Sequence, residues 1–250
     1  MMVFSCNQEN PYQKIKNTKA RKLIKASIES YNGLDIWLSK WSLSYKKNLE
    51  LYNEKGIVEK SIRQRHIYNG KDIGIFSTEN DSIHVQISFD QGEYLKVVNG
   101  KRVTTGEKHI AKLINSSLFV INTPYNLTDP GADISYLGDT IINGIPLKGI
   151  EVRYDANLNK NHSSSETWKY FFDVHNHRII YTYMISSDHN NMIVNDDFAF
   201  VNGILFNTKR RSYRTDHDGN ILYLRAVYTY SDFRLSGNSL LNRIEDSISK

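Results

Sequence analysis

Cysteine occurs once in this 250-residue chain, at Cys6, which removes both an internal disulfide and any multi-cysteine metal site. No apolar run approaches the roughly 18 residues that a bilayer-spanning helix requires. Proline is scarce at 4 and glycine stands at 14, so collagen-like and proline-rich chains are excluded. Neither sign of charge dominates: Lys+Arg 32 stand against Asp+Glu 27, a net +5. The basic residues are scattered apart from clusters at Lys14–Lys25 and Lys209–Arg214. A nucleic-acid-binding chain would gather them on one face, so a solvated surface is expected and no nucleic-acid partner. Also missing are a Gly-x-Ser-x-Gly elbow, a phosphate-cradling glycine loop and a His-Glu-x-x-His helix.

What is present is apolar surface in quantity. Hydrophobic residues make up 40% of the chain, with 16 Tyr, 10 Phe and 3 Trp, enough to offset the entropy of ordering it. From Thr18 the apolar positions Ala20, Leu23, Ile24, Ile28 and Tyr31 fall at helical spacing. Asn17 or Thr18 supplies a cap and Asn32-Gly33 a stop. Leu34, Trp37 and Leu38 read as a short second apolar turn. Glu107 to Ile121 is helical again and leads into Pro124 and the Asp129-Pro130-Gly131 turn.

Elsewhere the period is two. Trp41, Leu43, Tyr45, Leu49 and Leu51 alternate with polar residues, as do Ile83, Val85, Ile87 and Phe89. The same holds for Ile150, Val152 and Tyr154, for Trp168, Tyr170 and Phe172, and for Leu222, Leu224, Tyr228 and Tyr230. Strict alternation gives a strand one buried and one wet face, the habit of antiparallel sheets. Asn69-Gly70, Asn99-Gly100, Asn143-Gly144, Asn202-Gly203 and Asp218-Gly219 supply tight hairpin turns. The expected fold is mainly β (α+β): a single curved antiparallel meander packed on an N-terminal and a mid-chain helix.

Three histidines offer the one candidate metal set: His175, His177 and His189. Two imidazoles spaced i, i+2 on a strand share a face, and zinc would need at least one more ligand. The Asp173-Val-His-Asn-His run also reads as a polar turn, which is favoured. His217 between Asp216 and Asp218 fits a solvated hairpin tip better than an oriented base. No convincing catalytic set emerges, and no cofactor is expected.

A curved sheet only partly filled by helices leaves an apolar cleft. The candidate lining is the alternating apolar set: Trp41, Leu43, Tyr45, Ile83, Val85, Ile87, Trp168, Tyr170, Phe172, Leu224, Tyr228 and Tyr230. Val3-Phe4-Ser5-Cys6 resembles the end of a bacterial lipobox, followed by the polar tether Asn7-Gln8-Glu9-Asn10. Five residues are too few for a signal peptide. Either the recorded start lies downstream of one, or Cys6 is a terminal thiol; the first reading is adopted, with Cys6 the site of lipid attachment.

Ala26-Ser-Ile-Glu-Ser-Tyr-Asn-Gly-Leu-Asp-Ile-Trp37, Leu43-Ser-Tyr45, Pro124-Tyr-Asn-Leu-Thr-Asp-Pro-Gly131, Tyr136-Leu-Gly138 and Tyr170-Phe-Phe-Asp173 through His177-Arg178 carry a family likeness. The chain resembles, from about Ser27 to Phe233, a Bacteroidota envelope family of unknown function whose fold is similar to the lipoprotein carriers LolA and LolB. The resemblance implies a half-barrel wrapped over helices, exported and often lipid-anchored. The expected organisation is a tether over 1–16, a half-barrel over 17–236 and a polar tail over 237–250. The expected function is a non-enzymatic envelope lipoprotein that binds a lipid, another hydrophobic ligand or a lipidated partner on the concave face. It would be held to a membrane by Cys6, facing the periplasm or cell surface. The alternatives are a metal-dependent hydrolase using the three histidines and an envelope scaffold with no small ligand.

Overall fold

The computed structural model describes residues 11–32, 37, 41–69, 72–158 and 164–237, without the side chains of Trp41, Ser236 and Gly237. Cys6, Leu34, Leu38 and residues 238–250 therefore lie outside the described residues. A short 3₁₀ turn, Pro11–Lys14, precedes Ile15, which is buried. Helix α1 spans Thr18–Ser30 and begins where Asn17 accepts a hydrogen bond from the Ala20 amide at 3.0 Å. That bond satisfies one of the amides that the first turn leaves without a partner. Its buried face is Ala20, Leu23, Ile24, Ser27 and Ile28, the stripe read from the sequence. Asn32 then turns left-handed at φ +51°.

Among the described residues, thirteen strands follow in one antiparallel sheet. The first half comprises β1 (Trp41–Tyr52), β2 (Val58–Asn69), β3 (Asp72–Glu79), β4 (Ile83–Asp90), β5 (Glu93–Val98) and β6 (Lys101–Arg102). Helix α2 (Glu107–Ile121) and a 3₁₀ turn, Tyr125–Thr128, lead to the second half. That half comprises β7 (Ala132–Ile142), β8 (Ile145–Tyr154), β9 (Thr167–Asp173), β10 (Ile179–Ile185), β11 (Asn190–Val201), β12 (Ile204–Thr215) and β13 (Ile221–Gly237). The spatial order is β6-β5-β4-β3-β2-β1-β13-β12-β11-β10-β9-β8-β7. The chain thus meanders from the middle to one edge, crosses by α2 to the other, and returns to pair β13 with β1. The two edges stay unpaired with each other, so the sheet is a half-barrel.

Local chemistry sets the corners. Asn99-Gly100, Asn143-Gly144 and Asn202-Gly203 all have positive φ at both positions, as the sequence requires of two-residue hairpins. Asn80-Asp81 and Gln91-Gly92 turn the same way without the Asn-Gly signature. The edges are blunted against further pairing: β6 is two exposed basic residues, and β7 is interrupted by a bulge at Gly138. Opposite that bulge, a Cβ on Gly149 would approach the Phe171 ring to 3.0 Å. Gly149 pairs directly with Phe171 on β9, so the Phe171 ring lies over it, and Asn143 at the tip of the β7–β8 hairpin donates to the Tyr181 hydroxyl. Leu147, Tyr181 and Met192 form a small second core there.

The main core lies on the concave face. Against β7–β10, α1 packs Leu23, Ile24 and Ile28 on Ile150, Val152, Tyr170 and Phe172. Against β3 and β4, α2 packs Ile110 and Ile114 on Ile75 and Ile87, and Ile121 joins Leu43, Tyr68 and Phe206. Phe172 is fully buried, whereas Phe200 is 58% exposed. Phe172→Ala is expected to cost about 3–5 kcal/mol through the cavity it leaves, and Phe200→Ala within about 0.5 kcal/mol. Urea unfolding of the two variants measures both; similar losses would show that the concave face is not the main core.

Candidate functional site

Helices α1 and α2 do not fill the concave face completely. Between them and the sheet lies a cavity of about 420 Å³. Phe119, Trp168, Tyr170, Ile179, Tyr125 and Leu205 form much of its apolar wall. Phe119 sits 4.9 Å from Trp168 and 5.7 Å from Tyr154, ring centre to ring centre. Trp37 stacks on Tyr125 at 4.6 Å and extends this aromatic layer.

The structure divides the twelve lining residues expected from alternation. Tyr45, Ile87, Trp168, Tyr170, Tyr228 and Tyr230 line the cavity together. Leu43 and Phe172 share the concave face but lie fully buried in the helix-covered core. Val85 packs in the cluster beneath α2. Ile83, at the first position of β4, is 41% exposed. Leu224 is not among the lining residues, and Trp41 lies on β1 with its side chain outside the described residues. Alternation assigns a face; where along the strand a helix covers that face is a tertiary matter.

The metal reading requires correction. His175 and His177 sit in the β9–β10 turn, where Asp173 accepts the amides of His175 and Asn176, and His177 has φ +58°. His189 lies in the turn at the other end of β10. A seven-residue strand rises about 20 Å, so the three imidazoles cannot meet. Among the described residues, no group of three or more His, Cys, Asp or Glu side chains converges on a metal position. Asp216 likewise accepts the amides of Asp218 and Asn220, which makes the His217 segment a hairpin tip.

What sequence reasoning missed is the polar part of the cavity. Lys47, Gln64, His66, Thr182, Asn191, Asn195, Asn207, Arg210 and Ser212 all line it. The register explains their meeting: Gln64 stands opposite Lys47 and Lys47 opposite Tyr230, while Tyr228 stands opposite Arg210 and Arg210 opposite Asn195. The signal was in the period, since Lys47 has the parity of Leu43 and Tyr45. The Lys209–Arg214 cluster, expected to be a solvated surface, instead sends alternate members to opposite faces.

His66 is the hub of a buried network that ties α2 to the sheet. Its ring stacks on Tyr45 at 4.7 Å. Its Nε2 lies 3.2 Å from the Gln64 amide oxygen, which acts as acceptor because the Gln64 amide nitrogen donates to Ser77. Nδ1 then accepts from the hydroxyls of Ser117 on α2 or Tyr68, each 3.1 Å away. Those two hydroxyls are 3.0 Å apart. Burial, then the nearby Lys47 charge, pull the His66 imidazole down to about 3. Burial pushes the Tyr68 phenol up to about 12. Burial and the Arg210 guanidinium pull the Lys47 ammonium down to about 8.

Among the described residues, no carboxylate lines the cavity. Lys47 and Arg210 both lie against the Tyr228 ring, 5.4 and 5.6 Å from its centre. Arg210 reaches the Tyr230 hydroxyl at 3.5 Å, while its Nε is buried without a hydrogen-bond partner. Both polar atoms of the Asn207 side chain are buried and unpartnered as well.

The arrangement of the strands has counterparts among solved structures. The fold is LolA-like. A DUF1329 family protein from Desulfovibrio piger is similar over 92% of this chain and 98% of its own, at TM-score 0.54 and 12% identity. A LolA superfamily protein from Nitrosomonas europaea is similar over 90% and 96%, at TM-score 0.53 and 10% identity. A putative outer membrane lipoprotein-sorting protein domain from Vibrio parahaemolyticus covers 91% and 96%, at TM-score 0.50 and 10% identity. No protein-family profile matches the chain, and no curated protein matches it in sequence.

Because His66 is neutral in the folded chain, acid works against the fold. Between pH 6.5 and about pH 3 the unfolded chain takes up a proton that the folded chain refuses, so stability falls as pH falls through that window. The melting temperature of the wild type should drop more between about pH 7 and pH 4.5 than that of His66→Gln, followed by circular dichroism. Equal drops would remove His66 as the cause.

Proposed function

We propose that this chain is a lipid-binding protein of the cell envelope, which holds a hydrophobic ligand between α2 and the concave face of the half-barrel. The observation that carries the reading is the cavity itself. Its 420 Å³ falls in the range of about 300–1,000 Å³ found for small-molecule sites, and its walls are largely aromatic and aliphatic. Each methylene transferred into it contributes about 0.8 kcal/mol before the cost of association. Helix α2 serves as the cover. It lies in the connection that joins the two sheet edges, β6 and β7, and is held by the Ser117 hydroxyl as well as by apolar contacts.

The likeness to LolA-type folds and the lipobox-like Val3-Phe4-Ser5-Cys6 support an envelope setting, with Cys6 as lipid anchor. A lipoprotein carries two or three acyl chains, sufficient for stable anchoring where a single chain is marginal. Anchor and cavity are separate features, and the cavity reading stands without the anchor.

Nile red, an uncharged apolar dye, is expected to bind saturably with one dye per chain, seen as a blue-shifted emission. Ile193, on β11, lines the cavity, and Ile193→Trp fills part of it. That variant should weaken the dye at least about tenfold, the effect of losing one to two buried methylenes' worth of contact and adding steric overlap. Absence of saturable binding to the wild type would overturn the proposed function.

A further inference from the structure

The cavity is not uniformly apolar, and its polar side has one sign. Two neighbouring residue pairs make the point. Lys46 and Lys47 are consecutive on β1 and face opposite sides of the sheet; the outer one, Lys46, pairs with Asp232 at 2.6 Å. Arg210 and Arg211 are consecutive on β12; the outer one, Arg211, grips Asp196 through two hydrogen bonds of 2.9 and 2.6 Å. The inner member of each pair, Lys47 and Arg210, has no carboxylate partner among the described residues, and none of those lines the cavity. Both inner cations sit against one ring, Tyr228. Two like charges partly withdrawn from water and left without a counter-charge are costly to a fold. Lining the same cavity, Asn207 offers a buried donor and acceptor with no hydrogen-bond partner.

We propose that the cavity takes an anionic amphiphile, with its acid headgroup between Lys47 and Arg210 and its chain against Phe119, Trp168 and Ile179. This rests on the hydrophobic-ligand reading and adds the charge of the headgroup. An acid oxygen accepts from the Lys47 ammonium, from the Arg210 guanidinium, including its unpartnered Nε, and from the Asn207 amide. These are charge-assisted bonds in a partly buried site, the strongest class available to a side chain. The depressed Lys47 basicity is the signature of the missing counter-charge: burial and Arg210 both disfavour its charged form, and no anion opposes them.

Three probes test it by isothermal titration calorimetry on the full chain at neutral pH: laurate, dodecanol and inorganic phosphate. Laurate and dodecanol have the same chain and differ in headgroup charge; phosphate is an anion with no chain. Laurate is expected to bind at least about tenfold more tightly than dodecanol, and phosphate far more weakly than either. In the Lys47→Met/Arg210→Met variant the difference between laurate and dodecanol should collapse. Equal affinity of the wild type for laurate and dodecanol overturns the headgroup assignment and leaves the hydrophobic-ligand reading standing. Phosphate binding as tight as laurate assigns the cations to a free anion and overturns the amphiphile. If neither chain-bearing probe binds, the hydrophobic-ligand reading fails and the headgroup assignment with it. The wild-type comparison needs no variant, so it holds even if the double variant does not fold.

Discussion

A curved antiparallel sheet that stops short of closing presents an apolar concave face that water cannot be allowed to reach. Everything else in this molecule depends on how that face is covered. Helix α1 seals one half, and α2 crosses the other while carrying the chain between the two free edges. A single helix has a finite apolar stripe. Two of them cannot tile a thirteen-stranded trough, and the remainder is the cavity. Cover and ligand site are thus consequences of one geometric deficit.

The same helix binds in two chemically different ways. Ile110, Ile114 and Ile121 bury apolar area, which is insensitive to direction. Ser117 enters a network with His66, Tyr68 and Gln64 that is satisfied only when helix and sheet are in register. A buried polar network specifies position because an unmatched partner is costly. The imidazole remains neutral within that network, which lets Nδ1 accept and Nε2 donate at once.

The charged groups show a division by face. Outward cations such as Lys46 and Arg211 have carboxylate partners, at the modest benefit typical of partly solvated pairs. The inward cations Lys47 and Arg210 have aromatic faces instead. Aromatic contact offsets part of the desolvation cost of a cation but does not neutralise it. A cavity with apolar walls and uncompensated positive charge at one side is itself amphipathic.

The helix stripes, the alternating strands and the Asn-Gly hairpins were legible in the amino-acid order because each depends on neighbours a few residues away. The stripe Leu23, Ile24, Ile28 and the span Glu107–Ile121 were both read correctly from spacing alone. Turns at Asn80-Asp81 and Gln91-Gly92 were missed because their positive φ lacks the usual pair of residue types. The assignment of Tyr45, Trp168 and Tyr230 to the concave face followed from a period of two. Which of the alternating residues meet a cavity did not: Phe172 and Tyr170 share strand and face, yet only Tyr170 reaches the opening left by the helices. His175 and His177 likewise had a plausible ligand spacing, but the turn they form and the length of β10 separate them from His189. Lys47 and Arg210 lie 163 positions apart in number but become neighbours because β13 returns to lie between β1 and β12. Local order determined the elements and the faces they bury; only the return of the second meander to the first strand, a long-range pairing with no local signal, decided that two cations would share one tyrosine ring.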